Sequence, residues 1–486
     1  MLKRYLILLL SLLAVAAARA QQDSSFAAFR QRMMADYKGF RGSVLDNYSA
    51  YLSQAWKEFE AFKAKARYSR PKPAGMPRAP KTDPTPDRVT PLSSSHTPAQ
   101  PKNPAGGKRP DSGRPTPTAP TGGLPANSAD DITLSFYTAT VRLPHLQLAG
   151  QAVTDSRSAA ELWRQMQHDG LYGRMETAWR ATADRLNLSD WLVYLLVRQY
   201  SRTCCTGDNN ATVLAHYLLV NMGYDIRLGL TDGGMVLLVP FEQTVYGYPY
   251  IQINGTNYFV MPQLPGHSNA RPGRVATCQL PAASGGRAID LTLTGPAMPD
   301  GPEKAFSLSD GTMTLQGRVP EYAVKMANDF PQTDIPVYLN SCLSKRFRQD
   351  IISQAAAQLK GLSEQDAVNR LLHYIQYAFK YETDGNQFGY EKPFFIEDNF
   401  YYGTNDCEDR AVLFSLIVRE VLHLNTFLVG YPNHECAAVK FSEPNVPGDA
   451  LLRSNGDRLI ICDPTYIGAT LGMCMPQYEG IDPEIE

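Results

Sequence analysis

Two stretches of this sequence carry one pattern about 200 positions apart, and a chain that repeats a helix–strand–turn unit at that distance has to build the unit twice. TGDNNATVLAHYLLVNMGYDIRLGL (206–230) aligns with TNDCEDRAVLFSLIVREVLHLNTFLVG (404–430), and NGTNYFVMPQ (254–263) aligns with NGDRLIICDP (455–464). In both copies a helical apolar period gives way to β-rich runs closed by turn residues, which predicts an α+β fold in tandem. At 486 residues the chain has room for two or three cores.

The copies differ where chemistry would reside. In the second, Cys407 stands at the start of an amphipathic helix marked by Ala411, Phe414, Ile417/Val418 and Val421, with Asp406 as N-cap and Glu408 and Asp409 in the first turn. A helix N-terminus favours a thiolate, and the flanking carboxylates oppose it. An imidazole has to settle the balance. His434 opens the second strand of NTFLVGYPNHECAAVKF (425–441), and Asp463 closes the strand of NGDRLIICDPTY (455–466). Cysteine, histidine and aspartate in that setting form a nucleophile, a base and its orienter, with the Cys407 backbone N–H as an oxyanion donor. In the first copy Cys407 corresponds to Asp208, His434 to Gly233 or Gly234, and Asp463 to Pro262. All three groups are lost together, so 131–270 is expected to be a degenerate unit giving support or binding substrate, with VYGYPYIQI (245–253) as a candidate surface. Cys205 lies three positions before Asp208 and is the weaker candidate for a nucleophile there.

The order Cys407-Glu408-Asp409 on a helix, His434 on a strand and Asp463-Pro464-Thr465 after one resembles the transglutaminase-like superfamily of papain-type cysteine enzymes. QFGYEKPFF (387–395), DCEDR and ICDPTYIGA look more narrowly like exported transglutaminase-like proteins of Bacteroidetes. The resemblance covers about 320–486. It implies tandem papain-like/transglutaminase-like domains, the first degenerate, and thiol acyl transfer on amides, with hydrolysis more common than cross-linking. Papain-like enzymes take a second oxyanion donor from the stretch before the nucleophile, which makes Tyr401 and Tyr402 candidates against a core-packing role. Phe388, Tyr390, Phe394 and Phe395 are candidate substrate-binding residues. Cys436 stands where the family often has an aromatic residue, leaving open how His434 is covered. Strand alternation puts Cys436 on the His434 side and Cys462 on the other, against a disulfide between them.

The N-terminus reads as a signal peptide: Lys3 and Arg4, an apolar run from Tyr5 to Ala17, and cleavage after Ala20. Export to the periplasm or beyond is expected, with no transmembrane span. Residues 24–67 fall into four eleven-residue blocks with aromatics at the third and sixth positions, predicting one helix about 66 Å long at 1.5 Å per residue within an amphipathic helical segment over 21–70. Its aromatic stripe calls for docking on the globular part, self-association through 24–67, or a surface or spacer role. Residues 71–130 hold fifteen of the 35 prolines and read as a disordered linker; basic residues dominate from Lys63 to Arg114, which suits a solvated linker or contact with an anionic surface. A β-rich segment, 271–317, with an Asp310-Gly311 hairpin signal, joins the halves, and the second unit fills 318–486.

Without the leader, 44 basic residues face 48 acidic ones, a balance that implies no nucleic-acid partner. Cysteine and histidine spacing offers no zinc pattern, so no metal and no cofactor are expected; pairing among Cys204, Cys205, Cys278 and Cys342 stays open. Two functions remain: an exported cysteine peptidase, amidase or acyltransferase acting on a protein or peptide of the cell envelope, or a non-catalytic envelope scaffold that binds peptide or glycan.

Overall fold

The computed structural model describes residues 56–62, 72–81, 87–92, 131–146, 148, 152–262, 273–277 and 286–486. They form a mixed α+β fold with two six-stranded sheets, one closing nearly into a barrel and the other curling into half of one. In chain order, β1 (Lys57–Glu60) and β2 (Val89–Pro91) come from the N-terminal region, and β3 (Asp131–Phe136) and β4 (Ala139–Pro144) make a separate hairpin. Helices Ser156–His168, Leu171–Leu186, Asp190–Cys204 and Asp208–Asn221 follow. Next come β5 (Arg227–Thr231), β6 (Gly234–Val239), β7 (Tyr250–Ile253), β8 (Thr256–Met261) and β9 (Arg274–Thr277), in a sheet of order β1-β9-β5-β6-β8-β7.

The connection carries the expected hairpin, β10 (Glu303–Ser309) and β11 (Thr314–Pro320). Its turn needs Gly311, whose φ is +89°. Beyond it, two-residue strands β12 (Lys380–Tyr381) and β13 (Thr404–Asn405) pair in parallel just before the Cys407 helix. The second sheet comprises β14 (Asn425–Tyr431), β15 (His434–Lys440), β16 (Ala450–Leu452), β17 (Arg458–Cys462) and β18 (Glu484–Ile485), in the order β18-β14-β15-β17-β16-β2.

Without the two N-terminal strands, the sheets share one topology: β9-β5-β6-β8-β7 matches β18-β14-β15-β17-β16. Each follows a helix buried on nearly every side, Asp208–Asn221 in one half and Cys407–Ile417 in the other. Beyond their polar first turns both helices are largely apolar on every side, because the sheet takes one face and other helices take the rest. The match fixes the register: β6 opens at Gly234 where β15 opens at His434, and β8 ends at Met261 where β17 ends at Cys462.

The N-terminal expectations need correction where the chain is described. The 21–70 helix is interrupted by β1, which pairs antiparallel with β9, and by Phe62, which bridges to Tyr250. KEFEA alternates as well as it follows an eleven-residue period, and Phe59 and Ala61 pack on the core beneath the first sheet while Glu58 and Glu60 face out. The linker is likewise ordered over 72–81 and 87–92: β2 adds to β16 in parallel, and 72–81 lies along the second half. The signal peptide, the rest of the helix and the rest of the linker lie outside the described residues. Among the described residues no helix is long and apolar enough to cross a membrane. Replacing Phe59 with alanine is expected to lower the urea midpoint by the equivalent of about 1–2 kcal/mol, the value of a half-buried aromatic on an edge strand; an unchanged midpoint would detach β1 from the fold.

The loop 245–253 does not offer a free aromatic surface. Tyr246 donates its phenolic hydrogen to Asp334 Oδ1 (2.7 Å), its N–H donates to Gln332 O (2.9 Å), and Val245 bridges to Thr333. The loop therefore ties the first half to the second.

Candidate active site

Cys407 is the first residue of helix Cys407–Ile417, with Asp406 in extended backbone as N-cap (φ −115°, ψ −156°). Asp409 Oδ2 accepts back from the Asp406 N–H at 3.4 Å. The helix packs against β15, and His434 is the first residue of that strand, after a turn in which Asn433 has φ +64°. Asp463 follows the last residue of β17. His434 Nε2 lies 2.8 Å from Asp463 Oδ2, with both side chains buried. Asp463 is itself held: Oδ1 accepts from the N–H groups of Thr465 (2.9 Å) and Tyr466 (3.2 Å), and Gln376 donates to its backbone oxygen (3.3 Å). With Asp463 on Nε2, His434 Nδ1 is buried without a hydrogen-bond partner.

The sulfur of Cys407 donates to Glu408 Oε2 at 3.3 Å, and the side chain is only 1% exposed. Burial first, then the charges of Glu408 and Asp406, push the thiol well above its ordinary range; Lys72 and the Glu435 N–H pull the other way. The resting thiol is therefore protonated. Cys436, His434 and Asp463 draw together within 4.8 Å, while Cys462 faces the opposite core, as alternation requires. The described cysteines are all unpaired, and Cys278 lies outside the described residues. Cys205 follows the last turn of helix Asp190–Cys204 rather than opening a helix, and burial with Cys204 pushes its thiol up to about 12.

Several expected contacts are placed elsewhere. Tyr402 stacks on Phe394 (5.4 Å, 29°) and meets Phe388 edge-on (5.1 Å), while Tyr401 lies under Lys304 (4.5 Å). Both tyrosines are packing residues of helix Ile396–Tyr402. Phe394 and Phe395 are core, the latter against Phe330 and Tyr338, whereas Phe388 and Tyr390 are half-buried.

Four residues unforeseen in the sequence complete the site. Tyr381, on β12, comes from the strand paired with the one leading into the Cys407 helix: burial first, then negative charge at Cys407, Asp406 and Glu408, hold its phenol protonated, and its hydroxyl donates to Pro73 O at 2.8 Å. Tyr478 stacks flat on His434 (5.4 Å, 6°) and answers how the imidazole is covered. Arg410 is fully buried, donating to Asn405 Oδ1 (2.8 Å), Phe379 O (2.9 Å) and Met76 Sδ (2.8 Å). Burial lowers its guanidinium to about 10.

The fourth is Lys72. Its ammonium reaches Asp406 Oδ2 (2.6 Å), Glu391 Oε1 (2.7 Å), Asp384 Oδ2 (3.3 Å) and, closer still, Glu408 Oε1. Burial raises Asp384 to about 6 and Glu391 to about 8. Burial acts against Glu408 as well, but there the Lys72 ammonium outweighs it and holds the carboxyl down at about 2. Asp384, Asp406 and Asp409 also bring carboxylate oxygens within 4.8 Å of one another, as do Asp384, Glu391 and Glu408, a donor set that hard cations use.

No family model and no curated protein matches this chain.

Proposed function

We propose that the second half is a thiol enzyme of the papain and transglutaminase type, exported, acting on the amide bonds of a peptide or protein, and that the first half is a copy with the same topology and no chemistry. The observation that carries this is the buried His434–Asp463 pair, with Nδ1 unpartnered, at the start of the strand against which the helix opened by Cys407 packs. Asp463 keeps Nε2 protonated, so Nδ1 is the acceptor for the Cys407 proton. The thiolate then attacks the carbonyl carbon, and the C=O electron pair moves to oxygen. The Cys407 N–H and the Tyr381 hydroxyl are the donors set to receive that oxyanion. Collapse of the intermediate expels the amine, which takes the proton from His434 and leaves a thioester. Water releases the acid; a second amine would transfer the acyl group. Nothing in the arrangement favours the second outcome, so hydrolysis is the reading adopted.

A scaffold role draws on one observation, the nearly complete burial of Cys407. The segment 72–81 lies against the tip of the Cys407 helix, with Lys72 on Asp406 and Glu408 and Met76 on Arg410, and its displacement would open the site without giving up the catalytic reading. Incubating a proteome-derived peptide library with the protein should yield new termini that the Cys407→Ala protein does not produce. Equal cleavage by both proteins refutes the thiol mechanism. Tyr381→Phe should slow cleavage about 10–100-fold while Tyr402→Phe leaves it near the wild-type rate; the reverse ranking would return the oxyanion role to Tyr402.

A further inference from the structure

We propose that the carboxylate pocket beside Cys407 is a subsite for the primary ammonium of a substrate lysine side chain, and that residues 72–81 are a self-inhibitory strap whose Lys72 occupies it. The proposal rests on the thiol-enzyme reading and deepens it.

The pocket is more than a cluster of acids, because it already holds a ligand-like group. Lys72 arrives from 312 positions before Asp384 and 334 before Asp406, and its side chain is 5% exposed. Four carboxylates face an ammonium that has three hydrogens to donate, and Asp406 Oδ1 remains buried without a partner. Two of the four, Asp406 and Glu408, flank the nucleophile in sequence. The next carbonyl, Pro73 O, accepts from Tyr381, the hydroxyl assigned to the oxyanion. Ammonium and carbonyl are thus held at once by the pocket and by the catalytic donor, as a bound peptide would be.

The rest of the strap is attached as an extended peptide. Met76 sulfur accepts from Arg410, Ala79 N–H donates to Ile467 O (2.8 Å), and Ile467 N–H donates to Pro77 O (2.9 Å). Prolines at 73, 77 and 80 pre-extend it, so little conformational entropy is lost on docking. These few bonds and one ammonium are what a substrate has to displace. An ammonium ringed by carboxylates stays protonated and is no nucleophile, so the subsite recognises a side chain and does not supply an acyl acceptor.

The test compares wild-type and Lys72→Ala proteins by the rate of iodoacetamide modification at Cys407 and by melting temperature. Modification should be at least 10-fold faster in Lys72→Ala. N-acetyl-lysine methylamide at millimolar concentration should reverse at least half of that gain and raise the melting temperature of the variant by about 2 °C or more. N-acetyl-norleucine methylamide, which keeps the four-carbon stem and lacks the ammonium, should do neither. Equal effects of the two probes, or stabilisation by calcium or magnesium ions in place of the lysine probe, would overturn the proposal. If Lys72→Ala does not fold, Ala79→Pro removes the bond to Ile467 and keeps every pocket charge. It should speed modification several-fold, and an unchanged rate there also overturns the strap. The melting shift needs no catalysis, so it separates failure of the subsite from failure of the enzyme reading, which the peptide library reports.

Discussion

In the His434→Ala protein, iodoacetamide is expected to modify Cys407 about 100-fold more slowly than in wild type at pH 7, with Cys205 and Cys342 as references whose rates do not move. The reason lies in the local charges. Burial and two adjacent carboxylates hold the thiol protonated, so the helix N-terminus cannot make a thiolate alone. A base has to take the proton as the sulfur attacks, a contribution of about 10²–10⁴-fold. Opening of the strap multiplies the rate in both proteins alike, so the ratio isolates the imidazole. Asp463→Asn is the sharper variant. The asparagine amide would donate to Nε2 and leave the hydrogen on Nδ1, where it can no longer accept from sulfur; the loss should match that of His434→Ala or exceed it. A Cys407 rate that is unchanged in both variants removes the base from the mechanism.

The positions of Cys407, His434 and Asp463 could be read from the sequence because each sits at a boundary that local rules mark. Asp406 caps a helix, Pro432-Asn433 turns a hairpin, and Pro464 ends a strand, so Cys407, His434 and Asp463 fall at defined ends of elements. The duplication was legible for the same reason, and shared strand order now extends it from two aligned segments to whole sheets. What escaped was fixed by tertiary contact alone. Lys72 lies in a proline-rich run whose composition says extended and solvated, and nothing local shows four carboxylates more than 300 positions away. Tyr478 and Tyr381 lie 44 and 26 positions from the residues they serve, His434 and Cys407, with no period to connect them. In the reverse direction, proximity in sequence made Tyr401 and Tyr402 candidates against core packing, but their helix aims Tyr402 into the aromatic core and sets Tyr401 under Lys304. KEFEA was ambiguous between two periods, and β9 decided in favour of the strand.

Stability is expected to fall as pH rises from 5 to 8, against the common behaviour of a protein stabilised by paired carboxylates. Asp384 and Glu391 hold their protons up to about 6 and about 8, above their ordinary 3.8 and 4.5, and burial pushes Asp406 and Asp409 the same way. Between pH 4 and 8 the folded chain therefore binds more protons than the unfolded one, and stability declines with rising pH throughout that window. Glu408 has the opposite sign: its carboxyl is held down at about 2, so its contribution is complete above 4.5 and is lost only as pH falls towards 2. The two trends put the maximum near pH 4. For Asp384 alone the decline is on the order of 3 kcal/mol, and the groups share one ammonium, so their effects do not add. Urea midpoints at pH 5, 6.5 and 8 should fall in that order for wild type and flatten in Asp384→Asn and Glu391→Gln; a midpoint that climbs to pH 8 would show that these carboxyls ionise freely in the fold. The same protons act on the strap. Ionising Glu391 adds negative charge to the pocket, which then gains most from a cation that can adjust to all four carboxylates. An untethered lysine side chain can do so, whereas Lys72, fixed by Tyr381 and Pro73, cannot. Raising the pH from 6 to 8 should accordingly favour substrate over strap, and the gain in cleavage rate should be larger in wild type than in Lys72→Ala, where no tethered competitor remains to be displaced.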